Sequence, residues 1–292
     1  MNVCYITDND YVQHTMVSMA SLLANKFPSS KWVVYVVCDN VDSEKKKMLS
    51  RFDQEGFRVV LIDYKNTFTK KDYEIGKYIS ASTYIRLNLP SMFPKMDKVL
   101  YLDGDIIITG DLSELYGLDI SSYAMAGSID YGVCITSTTW DKVEYIRKTL
   151  PNYEREYMNA GVLLMNLTEL RRIDFEKSCQ NLYNERTDFI FADQDIINFA
   201  LVGKKRILPI YWNCPILALH LNYANNTDEF LKKRIAEIYH IAYSNIMDIA
   251  FKSKIIHING NKRYIHDIQY LKEMYWRYLE LALSYVGGEG KK

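Results

Sequence analysis

Apolar residues in this chain fall alternately into short unbroken runs and into spaced stripes. Val3-Cys4-Tyr5-Ile6, within residues 2–6, is a run of buried-strand length. Residues 11–26 then place Val12, Met16, Met19, Ala20 and Leu23 at helical spacing. Trp32–Val37 is a second run. Asp42 or Ser43 can cap a helix starting near Glu44 by accepting from its free backbone N–H groups, and Phe57–Ile62 is a third run. Strand–helix–strand–helix–strand over residues 2–62 predicts a parallel sheet with right-handed crossovers. A helix over Ser82–Leu89 precedes the strand Lys98–Leu102. Further runs at Tyr123–Ile129, Val162–Met165 and Ile255–Ile258 are separated by helical stretches near 175–186 and 193–202. Residues 209–250 read as irregular, and Ile268–Val286 reads as a long helix.

The chain has no internal repeat or low-complexity linker, so one continuous α/β domain is expected over residues 1–265. The helix at 266–286 presents Ile268, Leu271, Tyr275, Tyr278, Leu279, Ala282 and Tyr285 on one face, which predicts packing onto that domain. Residues 287–292 read as a flexible tail.

Composition narrows the function classes. Hydrophobic residues at 48% against 25% charged suit a soluble protein with a sizeable core. Lys+Arg and Asp+Glu are both 36, so no net field favours nucleic acid or an anionic membrane. Cys4, Cys38, Cys134, Cys179 and Cys214 are scattered without a C-x-x-C pair, as buried reduced thiols would be. With no signal segment and no long apolar span, the expected location is cytoplasmic, with at most peripheral contact at the inner face of the membrane. An oligomer is compatible with the sequence.

The strand Lys98–Leu102 runs into Asp103-Gly104-Asp105. Carboxylates are hard ligands suited to Mg²⁺ or Mn²⁺, ions that commonly bind a substrate phosphate as well. A strand end facing a crevice is where open α/β sheets place ligands. Asp-x-Asp also occurs at Asp8/Asp10 and Asp193/Asp195, so the surroundings must decide.

Thr7-Asp8-Asn9-Asp10-Tyr11 follows the first strand. Its carboxylates could accept from a base or ribose and Tyr11 could stack, or the segment could be a helix cap. Arg86 could fork onto diphosphate oxygens or brace Asp103. Asn159-Ala160-Gly161 allows close backbone approach at a strand mouth. Asp193-Gln194-Asp195 opens a helix, where sugar hydroxyls could be read. His257 sits in a β-branched run beside Gly260, Lys262 and Arg263. A neutral imidazole suits Mn²⁺, and the two cations could neutralise a leaving diphosphate. Together these segments are expected to line the mouth of one sheet.

With these segments in this order, the chain resembles family 8 glycosyltransferases, the retaining UDP-sugar-dependent bacterial galactosyl- and glucosyltransferases related to glycogenin. The resemblance rests on Thr7-Asp-Asn-Asp-Tyr11, Ser82-Thr-Tyr-Ile-Arg-Leu87, Val99-Leu-Tyr-Leu-Asp-Gly-Asp105, Asn159-Ala-Gly-Val-Leu-Leu-Met-Asn-Leu167, Asp193-Gln-Asp-Ile-Ile-Asn198 and His257-Ile-Asn-Gly260. It implies a GT-A fold, with a Rossmann-like, mostly parallel sheet flanked by helices. It also implies a UDP-glucose or UDP-galactose donor and Mn²⁺, with Mg²⁺ as the alternative, held by the Asp103–Gly104–Asp105 motif and His257.

By the same resemblance, Thr7, Asp8, Asn9, Asp10 and Tyr11 meet the nucleoside. Arg86, Asp130, Asn159, Ala160, Gly161, Asp193 and Gln194 surround the donor sugar, with Gln194, Asp193 and Arg86 nearest the chemistry. The acceptor would be a glycan, glycoprotein or lipid-linked sugar, its site shaped by 209–250 with Tyr211-Trp212-Asn213 and His220. One departure stands out. The family's His-x-x-Gly-x-x-Lys-Pro-Trp is here His257-Ile-Asn-Gly-Asn-Lys-Arg-Tyr-Ile265, with Arg263 at the expected lysine and Lys262 before it.

Retention requires either a covalent intermediate or attack from the leaving-group face, and Gln194, a poor nucleophile, favours the second. Two rivals are a non-catalytic nucleotide-sugar binder and a haloacid-dehalogenase-like phosphohydrolase. In the latter the first Asp of such a motif is the nucleophile.

Overall fold

The computed structural model describes residues 1–65, 80–136, 144–186, 188–216, 229–240, 246–259 and 268–287. Nine strands are described: β1 (Asn2–Asp8), β2 (Trp32–Asp39), β3 (Phe57–Tyr64), β4 (Lys98–Leu102), β5 (Ile106–Ile108), β6 (Met125–Ser128), β7 (Val162–Asn166), β8 (Lys205–Leu208) and β9 (Ile255–His257). Seven form a sheet ordered β3-β2-β1-β4-β7-β6-β8. Within it only β7 runs against its neighbours β4 and β6. The remaining two form a separate antiparallel ribbon, β5–β9.

The central strands are apolar on both faces because both faces are covered. In β1, Cys4 and Ile6 enter one core cluster while Val3 and Tyr5 enter the other. β4 does the same, with Val99 and Tyr101 on one side and Leu100 and Leu102 on the other. This two-sided burial explains the unbroken apolar runs, since a strand with one wet face would alternate.

Helix α1 (Val12–Asn25) follows β1, and α2 (Ser43–Ser50) is capped by Asp42, whose carboxylate accepts from Lys45 N. The C-terminal helix, Gln269–Gly287, packs along α1, where Asn25 Nδ2 donates to the Tyr278 hydroxyl at 2.7 Å. It runs through Gly287, one residue beyond the expected boundary.

The helix expected over Ser82–Leu89 is present as a 3-10 helix, Ala81–Asn88. Residues 209–250 are not wholly irregular: helices occupy Glu229–Tyr239 and Ile246–Lys252. The ribbon strand β5 and the edge strand β8, Lys-Arg-Ile-Leu, are too short or too polar to read as apolar runs. No helix among the described residues is long and apolar enough to cross a membrane.

Candidate active site

Parallel pairing brings the ends of β1 and β4 side by side, delivering Asp8 and Asp103 to one edge of the sheet. Because β7 runs antiparallel to β4, its beginning reaches the same edge, and Asp103 N donates to Gly161 O at 2.8 Å. The Asp103–Asp105 turn then carries the chain into β5, where Ile106 pairs with His257 and Ile258 N donates to Asp105 O at 2.9 Å. His257 therefore belongs to the ribbon. The site lies where the two sheets converge, not at the mouth of a single one.

Asp103, Asp105 and His257 each offer a ligand atom, all within 4.8 Å of one another. His257 Nε2 lies 3.3 Å from Asp105 Oδ1 and 3.7 Å from Asp103 Oδ2. Each carboxylate has its other oxygen anchored. Asp103 Oδ1 accepts from Tyr101 Oη at 2.6 Å and sits 3.1 Å from Arg86 Nη2, while Asp105 Oδ2 accepts from Tyr11 Oη at 3.4 Å. Adjacent ligands around an ion with bonds of about 2.1 Å stand about 3 Å apart, so two carboxylate oxygens and an imidazole so placed fit a divalent cation.

Arg86 is buried, not a surface cation, and it takes the bracing option. Its Nη1 donates to Ala160 O at 2.6 Å, its Nη2 to Thr83 Oγ1 at 2.6 Å, and its plane lies 4.5 Å over the Tyr101 ring. Its Nε sits 2.9 Å from Asp193 Oδ2, but that N–H is directed at Thr83 O, so the Asp193 contact is charge attraction without a directed hydrogen bond. Burial opposes the guanidinium charge, yet Asp103 and Asp193 outweigh it and raise its pKa above the ordinary value. In a 3-10 helix residues i and i+3 eclipse, which puts Thr83 and Arg86 on one side facing Asp193.

Two glycines are required by proximity. A Cβ on Gly104 would lie 2.6 Å from Thr15 Oγ1 on α1. A Cβ on Gly161 would lie 2.8 Å from His257 Nδ1 and 2.9 Å from Asp103 Oδ2, inside the candidate metal seat.

Beside the Asp103–Asp105–His257 cluster, three polar side chains are hydrogen-bonded to one another. Asn159 Nδ2 donates to Asp130 Oδ2 at 2.9 Å and Gln194 Oε1 at 3.2 Å, and Gln194 Nε2 lies 3.3 Å from Asp130 Oδ2. Gln194 lies in the first turn of a helix, Asp193–Ala200, entered through Ala192 at a positive φ of 52°, unusual for a non-glycine residue. Neither Asp193 nor Asp195 is exposed. Burial pushes the Asp193 carboxyl up to about 6 against the opposing Arg86 and Thr83. Burial likewise pushes Asp195 up to about 6, although its oxygens accept from Tyr157 and Tyr145 hydroxyls and from Ile190 and Phe191 N.

The Thr7–Tyr11 loop is neither a side-chain helix cap nor free. Thr7 is buried, Asp8 accepts from Tyr11 N and Ser80 Oγ, and Asn9 O accepts from Lys45 Nζ; Asp10 is exposed. Burial, then Asp105 and Asp103, raises the Tyr11 phenol above its ordinary pKa, which keeps it neutral.

Gly260, Lys262, Arg263 and His220 lie outside the described residues. Thr83, Tyr101 and Tyr157 escaped the residue-by-residue reading because hydroxyls beside apolar positions carry no spacing signal. Asn213, read as acceptor-side, lies behind His257, with Oδ1 2.9 Å from its Nδ1.

The sheet order and the converging Asp-Gly-Asp ribbon define a GT-A glycosyltransferase fold. The chain belongs to glycosyl transferase family 8, whose model matches residues 2–263. It is 27% identical to a putative glycosyltransferase of Haemophilus influenzae over 71% of this chain and 61% of that protein. It is also 27% identical to a lipopolysaccharide 1,2-glucosyltransferase of Escherichia coli over 80% of this chain and 68% of that one. The chain thus spans only about two thirds of the length of these relatives. The galactosyltransferase LgtC, solved in complex with donor and acceptor sugar analogues, superposes with a TM-score of 0.74 at 22% identity, over 97% of this chain and 96% of its own. The family match displaces the phosphohydrolase alternative.

Proposed function

We propose that this chain is a retaining hexosyltransferase that moves glucose or galactose from a UDP-sugar to an acceptor hydroxyl, using Mn²⁺ or, less suitably for a mixed N/O site, Mg²⁺. The observation that carries the reading is the Asp103–Asp105–His257 cluster, with one oxygen of each carboxylate anchored and the other turned toward Nε2. When bound there, the metal supplies Lewis-acid stabilisation to a departing diphosphate.

The protein's own contribution is preorganisation. Arg86 and Tyr101 hold Asp103 in one rotamer, and Tyr11 does so for Asp105, so little reorganisation accompanies the reaction. Asp8, Asn9, Asp10 and Tyr11, with Thr7 behind them, are assigned to the nucleoside. Lys262 and Arg263, after Gly260, are assigned to the diphosphate. Asp130, Asn159, Ala160, Gly161 and Gln194 form the donor-sugar pocket, and Asp193 acts behind them by holding Arg86.

Gln194 Oε1 already accepts from Ala160 N at 3.0 Å and from Asn159 Nδ2. An amide so committed suits a fixed wall of the pocket rather than a nucleophile, which favours attack from the leaving-group face. The acceptor is assigned as a glycan, glycoprotein or lipid-linked sugar, met by part of 209–250. The likeness to a lipopolysaccharide glucosyltransferase supports a glycan or lipid-linked sugar. The assigned location is cytoplasmic, with peripheral membrane contact where the acceptor is lipid-linked.

The test is UDP release from a panel of UDP-sugars with Mn²⁺, with EDTA and an Asp105→Asn variant as controls. Hydrolysis of one donor, lost with chelator and in the variant, is expected. UDP binding without release from any donor, even with candidate acceptors present, would favour a non-catalytic binder.

A further inference from the structure

The polar groups joining the metal cluster to the sugar pocket form one continuous chain, and two backbone N–H groups fix its direction. Gly161 N donates to Asn159 at 2.9 Å, so the receiving atom is Oδ1. Asn213 approaches that same Oδ1 at 2.9 Å and must present its Nδ2. Its Oδ1 is thereby turned to His257 Nδ1, 2.9 Å away, so Nδ1 must carry the hydrogen. The lone pair is left on Nε2, the atom facing Asp103 and Asp105.

At the other end, Ala160 N donates to Gln194 at 3.0 Å and identifies its Oε1. That leaves Gln194 Nε2 toward Asp130 and Tyr157 Oη, whose hydroxyl donates to Asp195 at 2.5 Å. Flipping Asn159 or Gln194 would oppose a fixed backbone N–H, and flipping Asn213 would set its oxygen against Asn159 Oδ1.

We propose that Asn213 is the positioning residue for both halves of the site. Its carbonyl sets the His257 tautomer that presents Nε2 to the metal, and its amide N–H₂ holds Asn159 in the orientation that shapes the donor-sugar pocket. Asn213 is 3% exposed, and the next residue is tied to β9 on both sides: Cys214 N donates to Ile255 O at 3.0 Å and His257 N to Cys214 O at 2.8 Å. The backbone beneath the amide therefore moves with the histidine it orients. A hydrogen-bonded partner on the second ring nitrogen is the usual device for orienting a metal-bound imidazole. Here the same residue also reaches the substrate side. The inference rests on the Asp103–Asp105–His257 cluster being a metal seat.

The two ends of the amide can be separated. Asn213→Asp keeps an acceptor for His257 Nδ1 but replaces the donor to Asn159 with a second acceptor, whereas Asn213→Leu removes both. Mn²⁺ affinity is read without nucleotide from the free-ion EPR signal, and UDP-hexose affinity relative to UDP by calorimetry. Asn213→Leu is expected to weaken Mn²⁺ binding by about 10–100-fold. Asn213→Asp is expected to hold Mn²⁺ within about threefold while lowering the UDP-hexose preference about tenfold, the loss of one hydrogen bond. In the wild type, histidine-selective ¹⁵N NMR at neutral-ring pH should show the Nδ1–H form for the signal lost in His257→Gln, a readout independent of either variant folding.

An Nε2–H tautomer, unchanged Mn²⁺ binding in Asn213→Leu, or equal loss of both affinities in the two variants would overturn the proposal. Wild-type protein that binds no Mn²⁺ would overturn the metal seat and this coupling with it. Wild-type Mn²⁺ binding with an Nε2–H ring would overturn the coupling alone.

Discussion

Gly161→Ala adds one methyl group between the two best-anchored parts of the site. The new Cβ would lie 2.8 Å from His257 Nδ1 and 2.9 Å from Asp103 Oδ2, contacts that ordinary packing does not allow. Neither neighbour has an easy retreat. His257 is backed by Asn213 and paired through β9, and Asp103 is held by Tyr101 and Arg86. The ring and carboxylate must therefore spread, at an overpacking cost of about 1–3 kcal/mol. Moving a ligand in this way should weaken Mn²⁺ binding about tenfold or more, in the range seen when ligand positioning is disturbed. Thermal unfolding reports the first effect and Mn²⁺ titration by EPR the second. Gly203→Ala is the control: its φ of 71° strains the backbone, but a Cβ there meets nothing within 4 Å. It should lower stability by about 1–2 kcal/mol and leave Mn²⁺ affinity unchanged. Gly161→Ala with wild-type Mn²⁺ affinity would refute the reasoning.

Arg86→Met leaves Asp103 and Asp193 without their shared cation and should cost about 3–5 kcal/mol in urea unfolding; a change under 1 kcal/mol would contradict the bracing role. Asp193 and Asp195 are pushed up to about 6 by burial, above an unfolded carboxylate near pH 4. Between about pH 4 and 6 the native state then binds more protons than the unfolded chain. Their contribution favours folding at low pH and fades as pH rises through 6, by roughly 3 kcal/mol at most for each. Asp195→Asn should flatten that dependence by about half, and identical slopes would count against it. Burial lowers the Lys205 ammonium to about 8, so the native state releases its proton first and stability should rise between pH 8 and about 10.5. Lys205→Met should abolish that rise in alkaline unfolding curves.

The three Asp-x-Asp motifs show what spacing can and cannot tell. Asp103 and Asp105 converge with His257, whereas Asp193 and Asp195 are buried and face different partners, Arg86 and a tyrosine pair. Asp8 is tied into its loop by Ser80 and Tyr11 N, while Asp10 is exposed. The strands β1, β2 and β4 were readable because burial on both faces makes their residues mainly apolar. β8 was not, because an edge strand tolerates the Lys205 and Arg206 that disguise it. The proposed ligands could be named from the sequence, but not the residues that support them. Thr83, Tyr101 and Asn213 act through contacts with residues 110, 2 and 44 positions away, respectively. Only the fold brings the two distant pairs together. The short one, Tyr101 to Asp103, looked like an apolar strand position.

Diffraction at the manganese absorption edge, from crystals soaked with Mn²⁺ and UDP, tests the central claim most directly. The account predicts one anomalous peak bonded to Asp103, Asp105 and His257 Nε2 at about 2.0–2.3 Å, with diphosphate oxygens completing its shell. Ordered UDP with no peak between these three side chains, or a peak that excludes His257, would contradict it.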